Sequence, residues 1–596
     1  MAKEASLPEV WRERISKAKK FREDDFDKVF ECEKARKWFE GRQEPSTGVP
    51  EGEWITVNKI YAHLLTELPA LYGIDPYFYV KLKKAYTSDP EQIPPMEARA
   101  AVREAYLNHL KGECKLKDSA RLAILDAEFA FGVIKVHYEA HFEDNPEKGT
   151  PLKDEEGNPI LDDESGEPLM NPDQLLVNEK YRVSRVHPDN IIWGRDSGPL
   201  GDDWDWIAQK IQMTREQAKA DKTLSSKAVS TAQAKPRHEE DKSVGGTSQQ
   251  LAAKDPDNEV LTCWEIYDIK RKQWLKYLEG ADELAMEPTP TPREIDGHPY
   301  SVLRFTVRDK SPYPIPPASQ ALDQQREINE GRSKRMVHRK RFNRKYEVNV
   351  NMLDSEDELY KLEVGDDGTI IKVQQTGAVQ PIKDAPLDQQ DMLEMQALER
   401  DMMDVLGPAP DSLQISSADS ATEAAIVDQR MNMREGDKLS IVTEWVTDIG
   451  RKLDKLVQAH ITGEEAVRVA GPSGTNWEIV KAEDYEEIQG EYEYTINVGA
   501  SQPRIPSIER SQWLAFLQVI GQAPQLMTSE RLMQHMAELH NIDDEAMVKE
   551  LVQVGKMMLQ SQDTGGANVP GVNPENPLAA IVGGALGANG VANEAA

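Results

Sequence analysis

Residues Ala318 to Lys345 constrain the fold more than any other segment. They follow a Pro-rich brake, SPYPIPP, and read as one helix, about 42 Å long at 1.5 Å per residue. The second half, GRSKRMVHRKRFNRK, carries eight Lys and Arg between Arg332 and Lys345, with His338 among them. At ~100° per residue these cations fall all around the axis, and Met336, Val337 and Phe342 share no face. Such a half-helix has no apolar stripe with which to join the core of its own chain. It is either exposed or packed between copies in an oligomer.

The rest of the chain makes this segment an exception. The formal charge is −32 over 596 residues. That balance argues against a general nucleic-acid binder, which needs cations to displace phosphate counterions. It suits a surface that repels DNA, or a large assembly kept soluble by charge. The length predicts several subregions, and 39% hydrophobic residues suffice for a folded core. The N-terminal MAKEASLPEVWRERISK has no apolar h-region, and no apolar run approaches the ~18 residues of a membrane helix. Cys32, Cys114 and Cys263 are an odd, scattered set and read as free thiols. A soluble protein made in a reducing cytosol is expected.

Along the chain, residues 8 to 135 read as helical, with Ile60, Leu64, Leu68 and Leu71 at helical spacing. Helix turns to strand near Gly132. An acidic insertion at 143–180 holds a small repeat, DEEGNPIL and DESGEPLM, with Gly and Pro at matching places, and predicts a solvated hairpin. YRVSRVHPDNIIWGRD alternates like a strand, and DDWDWIAQKIQMTREQAKA predicts a strand and then a helix capped at Thr214. Residues 221–256 lack apolar periodicity and read as a mobile linker. NEVLTCWEIYDIKRKQWLKYLEG predicts a hairpin and HPYSVLRFTVRD a further strand. After the basic helix, 346–383 reads as a small β unit with a Gly-Asp-Asp-Gly turn. A second helix starts at Pro386, carries Met395, Leu398, Met402 and Val405 as its stripe, and stops at Gly407-Pro408. A polar loop precedes a helix of about 40 residues from Ser420, where Ser420 and Glu423 form a capping box and Gly436 and Gly450 are weak points. Strands return at GEYEYTINVGA, helices run from Ile508 to about Leu559, and a Gly, Ala, Asn and Pro-rich tail reads as disordered. The fold class expected is mixed α+β and helix-rich.

That order of elements resembles the portal proteins of tailed bacteriophages, ring-shaped head-to-tail connectors, and the short-tailed branch most of all. QQREINEGRSK after the Pro-rich strand exit, PAPDSLQISSADSATEAAIVDQR opening the long helix, and VHPDNIIWGRDS followed by DDWDWIAQKIQMTREQ carry the resemblance, which covers roughly residues 50 to 560. It implies an N-terminal wing over 1–315, stem helices at 316–345 and 386–406, a clip at 346–385 and a tunnel loop at 407–419. It further implies a long wing helix and wing strands over 420–500, a crown over 501–562 and a disordered tail over 563–596. The tunnel loop would bring Asp411, Ser412, Gln414, Ser416 and Ser417 towards DNA. The basic stem–clip segment would carry Arg335, Arg339, Lys340, Arg341, Arg344 and Lys345, pairing with neighbouring subunits, an acidic partner, or passing phosphates. A ring of twelve subunits is implied, with double-stranded DNA, terminase, tail adaptor, and major capsid and scaffold proteins as partners and no membrane. Its place would be the capsid vertex of the virion, after synthesis in the host cytoplasm.

The residues bear on two other classes. Another structural virion protein, such as a scaffold or minor head protein, would lack the two-helix stem with its β clip. A metal-dependent nuclease or protease would need clustered ligands. HYEAH sets His137 and His141 about Glu139, but in a strand and without the H-E-x-x-H order. Asp202, Asp203 and Asp205 alternate with tryptophans and read as a solvated strand end. No phosphate loop of the G-x-x-x-x-G-K-[ST] type occurs, so a packaging ATPase would be another chain. No enzyme activity, cofactor or metal is expected.

Overall fold

A computed structural model describes residues 6–45, 52–85, 93–144, 148–151, 174–236, 259–342 without 296, 346–364, 370–381, 389–407, 421–461, 465–471, 474–480 and 490–496, with positions 516, 532, 533, 536 and 552. By contacts the chain divides into two units, Met1–Tyr72 with Glu113–His460, and Gly73–Gly112 with Ile461–Ala596.

Helices α1 (Leu7–Arg22), α2 (Cys32–Phe39) and α3 (Lys59–Leu71) open the first unit. Strand β1 (Phe78–Ala85) and helix α4 (Ile93–Glu113) fall to the second, and α5 (Leu116–Phe129) returns to the first. The helical expectation for 8–135 is therefore corrected at β1. FYVKLKKA begins as an alternating apolar and polar run, the period of a strand.

Two antiparallel sheets build the first unit. Strands β2 (Gly132–Asp144) and β3 (Gln174–Arg185) pair down to Asp144 opposite Gln174. The ends of the acidic insertion thus lie on neighbouring strands, while its repeat falls outside the described residues. Strand β4 (Ile191–Trp193) pairs with β5 (Trp206–Thr214), which leads into α6 (Arg215–Ala220) through a Thr214 cap with Gln217. Next come α7 (Ser226–Thr231), β6 (Ala234–Pro236), β7 (Glu259–Asp268), β8 (Gln273–Leu278), β9 (Met286–Pro290) and β10 (Tyr300–Leu303). The larger sheet runs β4-β5-β7-β8-β9 with β6 on β7, and the smaller runs β10-β2-β3.

Residues 221–236 correct the linker expectation. Leu224, Ala228, Val229 and Ala232 are buried against Leu261, Cys263 and Leu278, and β6 adds to the sheet edge. Apolar groups at i, i+4, i+5 and i+8 make one helical face, but six residues of helix are too few for that period to stand out. Residues 237–258 lie outside the described residues.

The core is aromatic. Phe26, Phe131, Trp193, Trp204, Tyr300 and Tyr313 pack together, with Phe26 stacked on Tyr313 at 5.0 Å. Helix α1 covers the larger sheet by Trp11, Ile15 and Ala18, at the spacing of one helical face. Arg22 ends that face in the interior, donating to the carbonyls of Pro188 (2.6 Å) and Ile191 (2.9 Å).

The basic segment folds as a 3-10 turn, Ala318–Ala321, and helix α8 (Leu322–Phe342). Strand β11 (Tyr346–Val348), helix α9 (Glu356–Val364) and strand β12 (Val379–Pro381) follow, with β11 and β12 antiparallel. Helix α9 overturns the strand expected at LYKLEV. The segment SEDELYKLEV puts acids in the first turn, where the helix dipole favours them, and Glu358 follows Ser355 by three. Helix α10 (Gln389–Leu406) ends where Gly407 takes a φ of +97° and donates its N–H to Met403 O at 2.8 Å. Its start at Pro386 lies outside the described residues. Helix α11 (Ala421–His460) is 40 residues long and continuous through Gly436 and Gly450.

In the second unit β1 pairs antiparallel with β15 (Gly490–Ile496), and β13 (Glu465–Gly471) pairs with β14 (Gly474–Val480). Asn108 on α4 bridges to both the N–H and the C=O of Phe78. The helices expected from Ile508 to Leu559 and the tail lie almost entirely outside the described residues.

Candidate functional site

The candidate site is built on α8 and α10. Helix α8 has no apolar stripe, yet its first two-thirds are deeply packed. Gln325, Asn329 and Ser333 are fully buried, one below the other at i, i+4 and i+8. They form a polar ladder for the extended segment before α3. Ser333 Oγ accepts from Ile55 N at 2.8 Å, Asn329 Oδ1 from Val57 N at 2.8 Å, and Gln325 Oε1 from Lys59 N at 3.0 Å. Gln325 Nε2 donates to Val57 O at 2.7 Å, and Asn329 Nδ2 donates to Gln43. The expectation that the basic half cannot join its own core is thus corrected at Ser333. Side-chain amides and a hydroxyl satisfy backbone groups that would otherwise be buried unpaired. Replacing Asn329 with Leu should cost about 1–3 kcal/mol, because Val57 N–H loses its acceptor. Faster proteolysis near residue 55 and a lower urea midpoint would register it, and an unchanged midpoint would show the segment held by other contacts.

Beyond Ser333 the helix emerges. Arg339 and Lys340 are exposed and Arg335 is half-buried. Lys340 Nζ lies 3.2 Å from Glu53, a pair within the chain. Arg341 is in the last turn, its side chain outside the described residues, as are Arg344 and Lys345.

Helix α10 lies antiparallel to α8. Its C-terminal Met402 and Leu406 pack with Ala318, Ala321 and Leu322, and Met395 near its start packs at Gly331. A Cβ on Gly331 would fall 2.9 Å from Met395 Sδ, so the absent side chain lets the helices close. Met395, Leu398 and Val405 complete the stripe read from the sequence. The loop after Gly407, with Asp411, Ser412, Gln414, Ser416 and Ser417, lies outside the described residues.

The residues between the two helices, 346–381, have little core. Among those described, only Leu353 and Ala378 are buried hydrophobics. Tyr360 (66%), Val364 (62%) and Ile370 (82%) are exposed, with Tyr346 and Val350 about half so.

Helix α11 is clamped to α3 and α5 by charge. Lys438 Nζ sits 2.5 Å from Glu67 and 3.1 Å from Glu128, over the Phe305 ring at 5.0 Å. Glu67 has His63 Nε2 at 3.4 Å as well. Burial and the Glu67 charge push the Glu128 carboxyl up to about 7. Burial acts the same way on Glu67, but His63 and Lys438 outweigh it and hold its pKa below the ordinary value. Burial would lower Lys438, and the two carboxylates more than offset that. Neither this cluster nor the ladder was anticipated from the sequence. Amide and hydroxyl side chains at i, i+4 and i+8 were the available signal for the ladder.

Among the described residues no group of His, Cys, Asp and Glu could hold a metal ion. His137, half-buried, lies within 3.2 Å of the exposed Glu139 on one strand face. Asp202 and Asp203 are exposed in a 3-10 turn rather than on a strand, because GDD closes a tight turn before Trp204. Cys32, Cys114 and Cys263 are free and buried, and burial pushes each thiol up to about 12. No helix among the described residues is long and apolar enough to cross a membrane.

No curated protein matches the chain. A family model described as phage P22-like portal protein matches residues 174–571, more than half of the 596. The matched span includes both antiparallel helices, the apolar unit between them and the 40-residue helix. The chain belongs to the phage P22-like portal protein family, the structural head-to-tail connectors that serve DNA packaging in bacteriophage virions.

Proposed function

We propose that twelve copies of this chain form the portal ring at the capsid vertex, with α8 and α10 as the stem that surrounds the DNA channel. Portal family membership implies an oligomeric ring that meets capsid, terminase and DNA in the virion. The observation that carries the finer reading is the antiparallel pair α8–α10, whose basic end leaves the core carrying exposed Arg339 and Lys340. In this reading 346–385 is the clip, and its exposed Tyr360, Val364 and Ile370 dock terminase during packaging and a tail adaptor afterwards. The loop 407–419 reaches the duplex through Asp411, Ser412, Gln414, Ser416 and Ser417. Residues 1–315 and 420–500 form the wing and 501–562 the crown, next to major capsid and scaffold proteins. The chain is made in the host cytoplasm and carries out no catalysis.

Charge fits this role. Twelve copies at −32 each give a wall that repels the duplex, so DNA slides instead of adhering. Of the cations of α8, the exposed Arg332 and Arg339 are then the ones that face neighbouring subunits. Native mass spectrometry of the purified chain should find rings of about 0.8 MDa from 67.1 kDa subunits, with a central hole in negative stain. A monomer alone at every concentration would remove the proposal.

A further inference from the structure

The two flanks of α8 differ in charge. Arg332 and Arg339, seven residues apart, lie within ~20° of each other around the helix. Both are exposed, and neither makes an ion pair among the described residues. Glu327 lies ~140° from Arg332, on the opposite flank. That flank borders a groove of about 600 Å³ between α8 and α10, with Glu327, Glu330 and Glu394 on its walls and Lys334, Arg335 and His338 at its other end. Glu327 and Glu394 are exposed and make no ion pair among the described residues. Lys334 on the same wall is already held by Glu330 at 2.5 Å. Met395 and Leu398, half-buried, give the groove an apolar floor, which Gly331 leaves open.

Resting on the ring reading above, we infer that the Arg332–Arg339 flank of one copy packs into the α8–α10 groove of the next, with Arg332 paired to Glu394. Opposite flanks of one helix are what a head-to-tail ring uses, since each subunit meets one neighbour on either side. Rotation about a ring axis leaves height unchanged. Gly331 packs on Met395, so Arg332 and Glu394 stand at one level of the antiparallel pair. With the pair running along the axis, rotation carries the Glu394 of the next copy to the level of Arg332. Guanidinium and carboxylate can then meet as a two-bond fork.

A charge swap tests this in the full chain. Arg332→Glu and Glu394→Arg should each raise the subunit concentration for half-assembly by at least about tenfold at low salt, since each brings like charges together. The double variant R332E/E394R should return most of that loss. Both positions are exposed, so thermal melting of the subunits should not change. Restored assembly in the double variant supports the pairing, because a merely structural loss at either site would not be rescued. Rings in the wild type with a double variant no better than the combined singles would overturn the pairing and leave the ring intact. A wild type without rings would overturn the ring reading itself.

Discussion

Lys438→Met is expected to destabilise the first unit by about 3–5 kcal/mol, the usual effect of removing one partner from a buried ion pair. The methionine fills the stem of the lysine, so packing over Phe305 changes little. What is lost is the only lysine or arginine among the described residues paired with Glu67 and Glu128, both of which are nearly inaccessible to water. The pH dependence carries a definite sign. Glu128 has a folded value of about 7 against 4.5 for the free group, so its contribution is fully present below 4.5 and lost as pH rises through about 7. Without the lysine only His63 offsets burial at Glu67, so the Glu67 pKa rises and the deficit grows further on the alkaline side. Urea unfolding followed by tryptophan fluorescence should therefore show a larger loss at pH 8 than at pH 5. Adding Glu128→Gln should recover part of it. A variant within about 0.5 kcal/mol of wild type at pH 8 would mean that water reaches the cluster.

Trp445→Asp is expected to be as severe, at least about 4 kcal/mol. Truncating a buried large aromatic alone costs about 3–5 kcal/mol, and the carboxylate that replaces it has no partner. Trp445 is 5% exposed, and Val442, Val446, Ile449 and Leu453 are buried along the same helix. This face of α11 packs across β2, β10 and the 3-10 turn Arg293–Ile295. Loss there separates the long helix from the smaller sheet. Glu444, one residue earlier and exposed, is the control, and Glu444→Ala should stay within about 0.5 kcal/mol. Equal melting of the Trp445 and Glu444 variants would place the inner face elsewhere on the helix.

Both residues belong to a helix whose extent was legible in advance, yet only one of the two effects was. Ile441, Trp445, Ile449 and Leu453 recur at helical spacing, so a buried face could be read along the chain, with Ile441 only half-buried. Glu67 and Lys438 are 371 positions apart, and no local pattern joins them. The same division runs through α8. Its lack of an apolar stripe correctly marked it as unusual, but hydrophobic periodicity counts apolar groups only. It could not register a face buried through Gln325, Asn329 and Ser333, because amides and hydroxyls enter a core only when a particular backbone segment waits for them. Helix α9 and the folded stretch 221–236 were missed for another reason. Each is short, and a helix of six to nine residues draws its stability from what it packs against.

By itself, the sequence determined what depends on neighbours a few residues away. That includes the strands β2, β3, β5, β7 and β8, the stripe of α10, its stop at Gly407 and the 40-residue α11. Only the tertiary structure decided which buried polar groups find partners, which flank of α8 remains outside, and where its cations stand relative to the carboxylates of α10. Turns, caps and stripes are set by bonds and contacts within one or two helical turns. Burial of charge is set by the whole surrounding volume, assembled from segments hundreds of residues apart.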